Sequence, residues 1–172
     1  GDDALSWLKA HPLCNGQIGS YGFSYQGLTQ LLGSDNNLLP DALAPAMCGL
    51  DERLHWASEG GAHWWIISLS WGLQLAAESC RRRGDQQAWQ TIKDCLAGAQ
   101  QSRHGLELLK QHDPSNPVLH WLQSDPSQTE GWQRHQPSPE RLRQPMQLLE
   151  GWCDPYLRGG LDLWQQSLDC GG

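Results

Sequence analysis

The segment Ile18-Gly19-Ser20-Tyr21-Gly22-Phe23-Ser24-Tyr25-Gln26-Gly27 reads as a short, glycine-rich strand that stops at a serine, with a helix starting directly behind it. A turn this tight needs glycine at 22 and 27, because a Cβ at either place would meet neighbouring backbone. Such a turn lifts the Ser24 hydroxyl above the sheet. It also leaves the next backbone N–H, that of Tyr25, free to stabilise an oxyanion. The spacing is G-x-S-x-x-G, one residue longer than the general G-x-S-x-G nucleophile pattern, and taken alone it describes a plain turn equally well.

Working outward, a helix is expected over Ala4 to Ala10, capped by Asp2 or Asp3 and stopped by Pro12. Cys14-Asn15-Gly16-Gln17 is a turn by composition. After the serine, Leu28 to Leu32 continue as helix and Gly33 closes it. Ala42 to Met47 and Met146 to Gly151 are two further short, buried strands. Asp154-Pro155 opens a last helix with Leu157, Leu161, Trp164 and Leu168 on one face.

Between these blocks, residues 51–144 read as helices and proline loops. Trp64, Ile67, Trp71 and Leu75 recur at helical spacing, and Arg81 to Arg83 and Gly84 mark that helix's end. Asp85 caps a second helix with Ala88, Trp89, Ile92, Leu96 and Ala99 inward, and a third covers Arg103 to Gln111. A short helix lies around Val118 to Leu122, and Ser138-Pro139 is an N-cap with proline at the first helical position. Composition agrees: of 172 residues 27 are Leu, against one Val, four Ile and one Phe, which leaves room for few strands. The expected fold class is α/β and mostly helical, with about three short strands. Two short-strand-plus-helix segments, 1–50 and 145–172, flank a helical insert over 51–144.

A formal net charge of −7 gives no positive field to attract phosphates, so nucleic-acid binding is excluded as an expectation. No apolar run approaches the ~20 residues of a membrane span, and no signal-peptide core follows Gly1-Asp2-Asp3. Six cysteines lie far apart without a C-x-x-C pair, which fits reduced thiols in a reducing, cytoplasmic compartment. None of the seven histidines has a Cys or His partner at metal-ligand spacing, so no metal site is expected.

The run from Cys14 to Gln30 closely resembles the nucleophile region of the cocaine esterase-like acyl hydrolases, which are grouped with the X-Pro dipeptidyl-peptidases. Trp7-Leu8 matches the helix ahead of that strand. Glu150-Gly151-Trp152-Cys153-Asp154-Pro155-Tyr156 looks like the G-W-x-D segment that supplies the family's triad acid. Gly60-Gly61-Ala62, the Trp-rich helices and the segment from Asp125 to Trp132 resemble the family's inserted helical cap.

The resemblance implies part of an α/β-hydrolase core. It implies Ser24 as nucleophile, Asp154 as the acid that orients the base, and the Tyr25 N–H as oxyanion donor. The substrate is then a small-molecule ester or a peptide, with no cofactor, no nucleic acid and no membrane. Leu13, Cys153 and Glu150 depart from the family's usual residues, and Glu150 on a buried strand is costly unless paired. In this fold the triad runs Ser, acid, His along the chain, yet no histidine follows Asp154. His11, His55, His63, His104, His112, His120 and His135 all precede it and read as surface or cap residues. The expectation is an internal segment of a larger serine hydrolase, with base and second oxyanion donor outside it. The alternative is a non-catalytic binding module that keeps the fold.

Overall fold

In the computed structural model, which describes residues 1–33, 38–98 and 101–172, the chain divides into two units. One comprises residues 1–56 with 132–172, and the other residues 57–131. The helical unit is therefore shorter than 51–144, and residues 51–56 and 132–144 belong with the strands. Ala99 lies outside the described residues.

The first unit is built on a small parallel sheet. Strand β1 (Gly19–Phe23) pairs in parallel with β2 (Ala42–Ala46), Gly19 opposite Ala42 and Phe23 opposite Ala46. Segment 145–149 runs parallel on the far side of β2, with bridges Leu43–Met146 and Ala46–Leu149. Four backbone bonds join them: Leu43 N–H donates to Pro145, Gln147 to Leu43, Leu149 to Pro45 and Met47 to Leu149. The third expected strand is thus present as a paired segment, and β2 is central because it bonds on both sides. Pro45 accepts from Leu149 but has no N–H to give, so it costs this pairing one rung between the flanking bonds of Leu43 and Met47.

Helix α1 (Asp2–Ala10) precedes the sheet. Its N-cap is Gly1, with Asp2 and Asp3 in the first turn, where carboxylates favour the positive end of the helix dipole rather than capping it as expected. Helix α2 (Tyr25–Leu31) follows β1. Gly33 does not close it by a left-handed turn. Its missing side chain instead makes room for the buried Arg141 guanidinium, whose Nη1 donates to the Gln30 carbonyl at 3.0 Å.

The second unit opens with a hairpin of β3 (Ser58–Glu59) and β4 (Ala62–His63). Its loop is Gly60-Gly61, both at positive φ (59° and 83°), a geometry that only glycine adopts without strain. Four helices follow: α3 (Trp65–Arg82), α4 (Gln86–Ala97), α5 (Gln101–His112) and α6 (Pro117–Gln123). Asp85 caps α4 by accepting the Ala88 N–H at 3.1 Å, and Asn116 caps α6 from Val118. The core of this unit is Leu69, Leu73, Ala76, Ile92, Leu109 and Val118, all fully enclosed. A Cβ at Gly72 would press on Leu109 and Val118, so that glycine sets how closely α3 approaches α5 and α6.

The chain then returns to the first unit. Ser138 caps α7 (Pro139–Leu142) as expected, and α8 (Leu157–Cys170) closes the structure. Helix α8 starts at Leu157, later than Asp154-Pro155, because Asp154 is spent on a turn ahead of it.

Candidate active site

Ser24 occupies the single residue between β1 and α2, with φ 57° and ψ −134°. That is a left-handed region which residues other than glycine rarely enter, at a cost on the order of 1–3 kcal/mol. Sequence explains how the chain tolerates it. A Cβ on Gly22 would come within 2.8 Å of Gln26 Cβ and 2.9 Å of its carbonyl, and one on Gly27 within 3.0 Å of Cys48 Sγ. Only glycines at both places let the helix fold back on the strand this sharply.

The Gln30 side chain braces the turn from behind. Its Oε1 accepts from Ser20 Oγ (3.0 Å) and Ala44 N–H (3.3 Å), and its Nε2 donates to the Gly22 and Gln26 carbonyls. One side chain thereby ties β1, β2 and α2 together.

Ser24 is half-buried, and among the described residues nothing is hydrogen-bonded to its Oγ. Tyr25 is the first residue of α2, so its N–H has no acceptor within the helix and is available to a ligand. Met47, directly after β2, also has a positive φ of 46°. Three consecutive strand ends therefore meet on one edge of the sheet: Ser24 after β1, Met47 after β2, and the loop to Asp154 after segment 145–149.

Asp154 is half-buried. Its Oδ1 accepts the Tyr156 N–H at 2.7 Å, and its own N–H donates to the Gly151 carbonyl. Tyr156 packs on Trp56 with centroids 4.7 Å apart and the rings tilted by 40°, and Trp56 Nε1 donates to the Gly49 carbonyl. The carboxylate is thus held at Oδ1 by the turn, and the Asp154 backbone by Gly151. Neighbouring strands lie ~4.8 Å apart, so the ends of β1 and segment 145–149 are separated by about 10 Å. That is a gap one imidazole with two hydrogen bonds and leaning side chains can fill.

No histidine of this unit fills it. His11 packs on Trp7 and accepts from Leu13, and His135 lies 3.4 Å from Glu52 Oε1. His55 is not a surface residue as expected: it is 2% exposed, in the short π-helical turn Glu52–Ala57. Its Nδ1 accepts from both Leu50 and Asp51 N–H (3.0 and 3.1 Å), and its Nε2 lies 2.8 Å from Asp162 Oδ2. The ring is therefore the tautomer with its proton on Nε2. Burial pushes its pKa below the usual histidine value, although Asp162 pulls the other way. No sequence spacing announces this pair, which is 107 residues apart.

Glu150 is the other residue whose environment matters. Both carboxyl oxygens are enclosed without a well-formed hydrogen bond, and Gly160 leaves the space they occupy. Burial pushes the carboxyl up to about 7, and the nearby Asp154 charge adds to that. The Cys48 and Met47 N–H groups oppose the shift without cancelling it. Buried Cys48 is in turn pushed up to about 12 by desolvation and by Glu150. All six cysteines are free thiols.

Comparison with known proteins follows the same residues. Residues 1–171 match the profile of the X-Pro dipeptidyl-peptidase (S15 family). The chain is also 31% identical over 86 residues to the cocaine esterase of Rhodococcus sp. (strain MB1 Bresler), a match covering 49% of this chain and 15% of that esterase. With a profile match over nearly its whole length, the chain belongs to the X-Pro dipeptidyl-peptidase family.

Proposed function

We propose that this chain is the nucleophile-and-acid segment of a serine hydrolase that cleaves ester or amide bonds in small molecules or peptides. The observation that carries the reading is the strained Ser24 elbow on the same sheet edge as Asp154. Ser24 Oγ adds to the substrate carbonyl carbon while its proton passes to a histidine Nε2. The Tyr25 N–H binds the oxyanion that forms. Collapse expels the alcohol or amine, which takes the proton from the imidazolium, and water then releases the acid from the acyl-serine by the same steps in reverse roles. Asp154 holds the histidine in the tautomer this requires. That histidine and a second oxyanion donor lie outside this chain. Residues 57–131 are, in the same reading, the family's helical cap.

A second reading, a non-catalytic binding module on the hydrolase fold, is supported by the commitment of His11, His55 and His135 to other partners. Fluorophosphonate labelling of the longer protein carrying this segment separates the two. Labelling that vanishes in Ser24→Ala supports the hydrolase, and no labelling of either protein supports the binding module.

A further inference from the structure

A second cluster of chemically active side chains lies wholly within residues 57–131. Cys80 sits near the end of α3, Asp85 is the N-cap of α4, and His112 is the last residue of α5. Their ligand atoms lie within 4.8 Å of one another. We propose that these three residues form a binding site for Zn²⁺ or a similar thiophilic divalent cation, with water as the fourth ligand.

Thiolate, carboxylate and imidazole are the donor set that Zn²⁺ takes in tetrahedral sites, at about 2.3 Å to sulfur and ~2.0–2.2 Å to nitrogen and oxygen. Ligand atoms around such an ion are about 3.3–3.7 Å apart, so closure requires each side chain to move by roughly an ångström. Three different helix ends supply the ligands, which fixes their backbones while leaving the side chains free to adjust. Asp85 needs only one oxygen for its cap: Oδ1 accepts the Ala88 N–H, and Oδ2 faces Arg83 in a loose ion pair at 3.8 Å. A cavity of about 340 Å³ opens beside Asp85 and His112 and provides the path of entry and the room for water.

The site already attracts a cation. Arg83 Nη2 lies 3.0 Å from Cys80 Sγ, 3.0 Å from the His112 carbonyl oxygen and 3.8 Å from Asp85 Oδ2. Arg83 is half-exposed on a long stem, so it can withdraw into water when a doubly charged ion arrives. The Asp113 charge also faces Cys80, although that carboxylate is held by Asn116 and Ser115. Binding exchanges the thiol proton of Cys80 for the metal and releases it to solvent. Sequence spacing did not reveal this trio because its members are contributed by separate helices.

The test uses the reduced 172-residue chain titrated anaerobically with Co²⁺, followed by competition with Zn²⁺. A near-ultraviolet thiolate-to-cobalt charge-transfer band, abolished by Zn²⁺, is expected. Asp85→Asn keeps a good N-cap while removing the charge, and should weaken binding about 10-fold or more. Cys80→Ser should abolish the band, whereas simultaneous serine substitution of Cys14, Cys153 and Cys170 should leave it intact. Arg83→Gln should tighten binding by removing the competing cation. No band in the unaltered chain, or a band that survives Cys80→Ser, would overturn the site. So would weaker binding in Arg83→Gln.

Discussion

The Ser24 N–H donates to the Ala46 carbonyl at 2.9 Å, which makes the most strained residue of the elbow also the last rung of the β1–β2 ladder. The hydrogen bond fixes the backbone while φ stays at 57°, so the serine side chain carries conformational energy that glycine would not. Ser24→Gly should therefore raise the unfolding free energy by about 1 kcal/mol after glycine's own entropic cost, and Ser24→Ala should not. Urea denaturation of the three proteins checks this. Equal stabilities for the glycine and alanine variants would mean that the elbow is relaxed.

Glu150 predicts a stability that depends on pH in a particular direction. Its folded pKa, about 7, lies above the 4.5 of the unfolded chain, so the native state holds this proton more tightly. Its contribution is full below about 4.5 and is lost as pH rises through 7. Both oxygens are enclosed but the residue as a whole is only half-buried, so the loss should be on the order of 1–2 kcal/mol. Glu150→Gln removes the titration and should be more stable than the parent at pH 8 while matching it near pH 4.5. Thermal melts across that range read the difference, and parallel curves for the two proteins would contradict the assignment.

His55 acts in the opposite sense. Its folded pKa is depressed, so its contribution is present above the ordinary histidine value and declines as pH falls below it. The cause is burial, which penalises the charged ring, and protonating Nδ1 would also take from the Leu50 and Asp51 N–H groups their ring acceptor. Removing the ring in His55→Ala strands both buried donors and leaves a cavity, at a cost of roughly 3 kcal/mol or more. A loss under 1 kcal/mol by chemical denaturation would show that the turn Glu52–Ala57 re-forms without it. Because Glu150 and His55 act in opposite senses as pH changes, the parent protein should show a shallower profile than either variant.

Much of the site was readable in residue order because its constraints are local. Gly22 and Gly27 demand a tight turn wherever they stand, and Ser24 can only be between them. The helices 65–82, 86–97 and 117–123 follow from apolar period, caps and proline, which act within a few residues. The Gly60-Gly61 hairpin has a local signal as well, two adjacent glycines suited to a type I′ turn, which the helical expectation for 51–144 did not include. What was not readable is long-range. His55 meets Asp162, Arg141 meets Gln30, and Cys80 meets His112 only after the helices have packed. Glu150 stood out as a charge on an apolar strand, and its enclosure against Gly160 shows how the fold accommodates it without an ion pair.

Catalysis by this chain alone should be undetectable. A serine hydroxyl is a poor nucleophile at neutral pH without a general base. Among the described residues of the unit that holds Ser24, each histidine is engaged elsewhere: His11 with Trp7 and Leu13, His55 with Asp162, His135 near Glu52. Recruiting His55 would require giving up three hydrogen bonds at once, two of them to buried backbone donors. Loss of one triad member lowers turnover on the order of 10⁴- to 10⁶-fold, which takes an ordinary esterase below background. The measurement is release of p-nitrophenol from a short-chain ester by the 172-residue chain and by Ser24→Ala. Equal rates, both at background, are the expected result. A rate in the chain that disappears in Ser24→Ala would place the base inside it, and His→Ala substitutions at 63, 104, 112 and 120 would then identify which residue serves.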